Sequence, residues 1–273
     1  MKLLHLSDLH IVPPGHTLFG ADPSNHLASC VDDINRHHAD AALCVITGDL
    51  THDGDEAAYR QLAELLRPLR VPVRLLLGNH DHRETFRRVF PHMPVDAHGF
   101  VQSVHEIGDT ALVFLDTLTA GTHEGRLCAA RLQWLHDRLA ALAGRNVHLF
   151  SHHPAMEIGL DSMDWLRLRE GPQLLDVLRR HGNVRHVFSG HVHRPSAGTW
   201  HGMAFSTVRG THHQHALDLA LQGPATTVME PPGYAVVLVR ESGTVVHFHD
   251  FLDASPRYPY VKGADRPVSV GMA

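Results

Sequence analysis

Five short apolar runs in this chain stop abruptly, and each stops on Asp, Asn or His. Leu3 to Ser7 runs into Asp8 and His10, and Ala41 to Ile46 into Thr47-Gly48-Asp49. Val71 to Leu77 runs into Gly78-Asn79-His80-Asp81, "VHLF" into Ser151-His152-His153, and "VRHVF" into Ser189-Gly190-His191-Val192-His193. Runs of four to seven apolar residues read as buried strands. Between the first three lie helical patterns. Asp22-Pro23 is an N-cap followed by proline at the first helical position, with Leu27, Val31 and Ile34 at helical spacing. Tyr59, Leu62, Leu65, Leu66 and Leu69 mark the second helix. The order β-α-β-α-β predicts right-handed crossovers onto a largely parallel sheet. In such sheets ligands bind at the carboxyl ends of strands, where these polar residues lie.

The middle of the chain changes character. "FVQSVHEIGDTALVFLDT" predicts a hairpin around Gly108-Asp109. Leu132, Leu135, Leu139 and Leu142 predict a helix closed by Gly144 at C′, and Leu174, Leu175 and Leu178 another between the last two apolar runs. "GTWHGMAFST" and "GYAVVLVRESGTVVHFHDF" predict antiparallel hairpins. The expected fold is α/β, with two sheets flanked by helices, an α/β first half and a more antiparallel second half. Residues 1–253 are expected to form one domain. The tail, 254–273, carries Pro, Gly and Tyr and is expected to be irregular, draped on the body or used in assembly as a homo-oligomer.

Composition narrows the function. A net charge of −5 without a run of Lys or Arg argues against bulk nucleic-acid binding. "MKLLHLSDLH" reaches Asp8 too soon for a signal peptide, and no apolar stretch is long enough to span a membrane. The three scattered cysteines, Cys30, Cys44 and Cys128, fit a reducing cytoplasm and supply neither a disulfide framework nor a thiolate zinc site. Histidine is the abnormal count, 27 of 273 residues. At that frequency His-x-His arises by chance roughly three times. The chain has it at 80/82, 191/193, 213/215 and 247/249, so the pair alone carries no information. Only the strand-end context does.

Two carboxylates, an amide and several imidazoles suit Mn, Fe, Zn or Co better than Ca or Mg. They are too many for one tetrahedral zinc and about right for two divalent or trivalent transition metal ions sharing a carboxylate. Two such ions roughly 3.5–4 Å apart form a clamp for in-line phosphoryl displacement. "SDLH" (7–10), "GDL" (48–50), "GNHD" (78–81), "SHHP" (151–154) and "GHVH" (190–193) resemble the five signature blocks of calcineurin-like metallophosphoesterases. The "LFGADPSNHLASCVDDIN" and "STVRGTHHQ" stretches resemble, more narrowly, bacterial class III cyclic nucleotide phosphodiesterases and glycerophosphodiesterases.

The resemblance implies a two-sheet β-sandwich in four αββα layers. It implies a phosphodiesterase of small phosphodiesters, cyclic nucleotides or glycerophosphodiesters, working by attack of a metal-bridging hydroxide. It places Asp8, His10 and His193 on one metal and Asn79, His152 and His191 on the other, with Asp49 bridging. His152 takes the ligand position over His153 because it precedes the proline by two residues. Asn79 and His80 would also contact the phosphate, His80 as acid to the leaving group with Asp81 orienting it. His213 is a substrate contact by position, against the alternative of a surface histidine. Two other readings compete: a metal-dependent amidohydrolase on a (β/α)8 barrel, which usually opens with His-x-His where this chain has Asp-x-His, and a non-catalytic His-rich metal-binding scaffold, which would be expected to have lost ligands.

Overall fold

The computed structural model describes residues 1–220 and 223–258. In chain order its elements are β1 (Lys2–Leu6), α1 (Pro23–His37), β2 (Leu43–Ile46), α2 (Glu56–Leu66), β3 (Val73–Leu75), α3 (Arg83–Val89), β4 (Ser103–Ile107), β5 (Thr110–Phe114), α4 (Ala129–Ala141) and β6 (Asn146–Ser151). There follow α5 (Asp161–Asp164), α6 (Gly171–His181), β7 (Val184–Ser189), β8 (Ser196–Trp200), β9 (Met203–Thr207), β10 (Gln214–His215), β11 (Thr227–Val228), β12 (Tyr234–Arg240) and β13 (Gly243–His249).

Two large sheets result, ordered β13-β12-β1-β2-β3 and β4-β5-β6-β7-β9-β8, with β10 and β11 as a small separate pair. They are open and stacked, which rules out the barrel that the amidohydrolase reading needs. Leu3, Val45, Phe114, Phe150, Phe188 and Val237 fill the space between the sheets. Leu27, Val31, Ile34 and Leu62 of α1 and α2 cover the outer face of the first sheet. Leu135, Leu139, Leu174 and Leu178 of α4 and α6 cover that of the second. The layers are therefore α, β, β, α. Because both faces of each sheet are covered, successive residues of β1 are buried in opposite directions, which is why the strand reads as a continuous apolar run.

Local signals act as the sequence predicts at α1, where the Asp22 carboxylate accepts from the Ser24 N–H at 2.9 Å. At α4 they do not. The helix is capped at Leu142, and Gly144, at φ 84°, lies one residue past C′. The larger difference concerns the antiparallel second half. β9 runs parallel to β7, so β5, β6, β7 and β9 form a parallel block. The hairpin of β12 and β13 leaves that block and pairs antiparallel with β1. Each sheet thus has a parallel centre, and β1, β2, β6 and β7 end on one rim. Among the described residues no helix is long and apolar enough to cross a membrane. Of the expected irregular tail, residues 254–258 have no regular structure, and 259–273 lie outside the described residues.

Candidate metal centre

At the rim the chain leaves β1, β2 and β7 through a kink that L-residues resist. Asp8, His10, Asp49, His191 and His193 all have φ between 47° and 69°. Such residues cost on the order of 1–3 kcal/mol each and persist only where the surroundings over-determine them. Here the loops after β1 and β2 are zipped together. The Asp8 N–H donates to the Gly48 carbonyl at 3.0 Å and the His10 N–H to that of Asp49 at 2.9 Å. Gly78 explains its place in "GNHD": a Cβ there would overlap the Asp49 carboxylate.

The result is a buried set of converging donor atoms. His193 Nε2 lies 3.4 Å from Asp8 Oδ1 and 3.2 Å from His10 Nε2. Asp49 Oδ2 lies 3.7 Å from His10 Nε2 and 3.4 Å from His152 Nε2, between the two groups. His152 Nε2 is 3.1 Å from Asn79 Oδ1. Ligands about 2.0–2.2 Å from a shared cation lie about 3–3.5 Å from one another, so four of these separations fit metal ligation and the fifth, at 3.7 Å, is slightly longer.

Tautomers sharpen the fit. His152 Nδ1–H donates to the Thr47 carbonyl at 2.9 Å, which leaves Nε2 of the neutral ring as a lone pair. That lone pair faces two further acceptors, Asp49 Oδ2 and Asn79 Oδ1. Likewise His193 Nδ1–H donates to the His213 carbonyl at 2.8 Å. His191 Nε2 is buried with no hydrogen-bond partner. Lone pairs converge this way only around a cation or a proton. Burial opposes charge on His152, yet the adjacent Asp49 outweighs it and raises the imidazole to about 9. Proton and metal therefore compete for the same atoms. Burial keeps His10 and His191 well below the ordinary histidine value and brings His193 down to about 4, so these rings stay neutral. Asp49 stays ionised: burial works against its charge, but His152 and His80 outweigh it. Burial raises Asp8 to about 6.

One expected contact is not made. Asp81 does not orient His80. Its carboxylate accepts from the N–H groups of Gly78, Leu50 and Thr51 at 2.9, 3.1 and 3.2 Å and from the Tyr59 hydroxyl at 2.8 Å. It ties the loops after β2 and β3 together, because three backbone donors left by strand ends outcompete a side chain. His80 is oriented by His52, whose carbonyl accepts from its Nδ1–H at 2.7 Å. The backbone N–H of His80 donates to Asp49 Oδ1 at 2.9 Å. His213 is 4% exposed, so it is no surface histidine. Its ring packs 4.8 Å from that of His10 and 4.4 Å from that of His193. His153 turns its nitrogens to Thr117 Oγ1 and the His123 carbonyl, away from Asp49.

Three further histidines stand at the site without a signal in the sequence. His52 Nδ1 is 3.3 Å from His10 Nδ1, and its ring stacks on His80 at 5.1 Å. His123 Nδ1 accepts from Asn79 Nδ2 at 2.9 Å, which turns Asn79 Oδ1 toward His152. His215 packs 4.6 Å from His193. In a chain with 27 histidines, no spacing distinguishes these from the rest.

A family model described as calcineurin-like phosphoesterase matches residues 1–195. A protein of Rhodopseudomonas palustris named "probable cyclic nucleotide phosphodiesterase" is 43% identical over 94% of this chain and 95% of its own. One of Arcobacter nitrofigilis named "probable glycerophosphodiester phosphodiesterase" is 32% identical over 90% and 92%. A dimetal phosphatase from Danio rerio shares the fold, with a TM-score of 0.70 at 16% identity, over 92% of this chain and 96% of that one.

Proposed function

The chain belongs to the calcineurin-like phosphoesterases, and from that premise we propose that it is a dinuclear metal-dependent phosphodiesterase of small phosphodiesters, cyclic nucleotides or glycerophosphodiesters. The observation that carries this is the position of Asp49 Oδ2 between His10 and His152, each facing it with a ring nitrogen. Asp8, His10 and His193 would hold one ion and Asn79, His152 and His191 the other, with Asp49 shared. Mixed imidazole, amide and carboxylate donors admit Mn, Fe, Zn or Co. Bound there, the ions supply Lewis acidity and a nucleophile usable at neutral pH.

The chain's own residues do the rest. His80 borders the cavity above the rim, with Nδ1–H held by the His52 carbonyl, so Nε2 is the atom left for the ester. Carrying a proton, Nε2 donates it to the departing oxygen. Asn79 and His213 border the same cavity, which at about 320 Å³ admits a small ester. Residues 1–253 would form the catalytic unit, a reading supported by the pairing of β12 with β1, the rim's first strand.

The test is metal analysis and turnover of Mn-reconstituted enzyme. Two ions per chain are expected, with hydrolysis of phosphodiesters. His80→Ala should lower turnover of an alkyl or nucleoside diester about 10²–10⁴-fold. Bis(p-nitrophenyl) phosphate, whose leaving group hardly needs a proton, should lose far less, with metal content kept. A single ion, or no diester cleaved, would overturn the reading. Equal losses on both substrates would remove His80 as the acid.

A further inference from the structure

The cavity above the rim is lined by two unlike kinds of ring. Imidazoles, among them His52, His123 and His215, border it, and so do Phe19 and Trp165. These two are 51% and 55% exposed, although large aromatic side chains are ordinarily mostly buried.

Phe19 is held there against its own preference. It sits at φ 52°, followed by Gly20 at φ 81°, in a two-residue turn closed by hydrogen bonds of 2.8 and 3.2 Å between Leu18 and Ala21. Such turns favour Asn-Gly, and a bulky residue at positive φ is strained. The strain is supported from behind: His212 Nε2–H donates to the Leu18 carbonyl at 2.8 Å, and His213 packs edge-on against the Phe19 ring at 4.8 Å. Trp165 follows α5 directly. Its indole N–H donates to the Ser162 carbonyl at 3.1 Å, so its one polar atom is already used and its ring is what remains for a ligand.

Charge narrows the ligand. Among the described residues no Lys or Arg borders the cavity, and Asp49 is its only carboxylate. A second phosphate would find no cation there, and an ammonium headgroup no free carboxylate. A flat heteroaromatic ring finds aromatic surface to stack on and imidazole nitrogens to bond.

We infer that Phe19 and Trp165 form a base-binding subsite, so that the preferred substrate is a cyclic mononucleotide and not a glycerophosphodiester. This rests on the phosphodiesterase reading above and names its substrate. The experiment compares kcat/KM of the Mn-loaded enzyme for adenosine 3′,5′-cyclic phosphate with that for glycerophosphoethanolamine. In Phe19→Ala and in Trp165→Ala the ratio should fall about 10- to 100-fold, carried mainly by KM, as expected for loss of a stacked base. Phe19→Tyr and Trp165→Phe, which keep a ring, should retain most of the preference. Independently of turnover, 5′-AMP should quench the intrinsic fluorescence of the wild type, and Trp165→Phe should lose that quenching.

An unchanged ratio in both alanine variants would overturn the subsite. So would a larger loss on glycerophosphocholine, which would assign the rings to a quaternary ammonium. Failure of the wild type to cleave any diester, bis(p-nitrophenyl) phosphate included, would refute the phosphodiesterase reading, and the quenching measurement would then decide the subsite alone.

Discussion

Two groups of histidines are equally buried in this molecule and differ in everything else. At the rim His10, His152 and His193 point their ring nitrogens at one another or at Asp8 and Asp49, and His191 Nε2 lies buried beside them without a partner. Between the sheets, His5, His148 and His186 each bond a neutral hydroxyl: Thr47 Oγ1 at 3.0 Å, Thr244 Oγ1 at 2.7 Å and Ser206 Oγ at 2.9 Å. His5 meets Phe150 and Phe188 edge-on, and His186 stacks on Phe188 at 4.1 Å. Burial alone therefore does not make a metal site. The interior rings stand singly in an aromatic layer, each bonded to one hydroxyl, and His148 Nδ1 has no partner. The rim rings form a set whose lone pairs no protein donor satisfies.

The strongest way to break this comparison is Asp49→Ala. If the rim works as a set, removing the shared carboxylate should abolish turnover, a loss of 10³-fold or more by the scale of two-metal catalysis. Bound metal should fall to one ion or none. Two tightly held ions in the variant, by elemental analysis after dialysis, would show that Asp49 is not shared.

A smaller effect is expected one step out from the ligands. His123 fixes the Asn79 amide, and partners of this kind are worth about 10- to 100-fold in metal affinity. His123→Ala should weaken one of two Mn²⁺ binding events in a calorimetric titration and leave the other near wild type. Two unchanged events would reduce His123 to packing.

The smallest effect tests the interior group. Burial lowers His5 to about 3 and His148 and His186 to about 4, below the value near 6.5 of an unfolded chain. Above about pH 6.5 both states are neutral and these groups cost nothing. Between there and about pH 4 the unfolded chain takes up protons that the folded one refuses, so stability falls on acidification. Each ring contributes about 1.4 kcal/mol per pH unit to that fall. His186→Gln, which keeps a polar side chain but cannot titrate, should make the slope of stability between pH 6 and pH 5 shallower by about that amount in urea unfolding of the metal-loaded protein. An unaltered slope would mean that His186 is not held neutral.

Much of this was written locally. The apolar runs and helical periods specify β1, α1, β2, α2 and β3. Parallel strands crossing right-handed must end on one side, so the strand-end positions of Asp8, Asp49, Asn79, His152 and His191 already imply a common rim. What the sequence could not express is where each side chain turns. Asp81 stands next to His80 in the chain yet bonds the loops beside it, while His80 is set by a carbonyl 28 residues away. His152 takes its tautomer from Thr47, 105 residues distant, and β12 finds β1 across most of the chain. Local pattern fixes which way the backbone must face to bury apolar surface. Tautomers, amide orientations and hydroxyl partners depend on which polar groups meet once the layers are packed, and only the tertiary structure decides that.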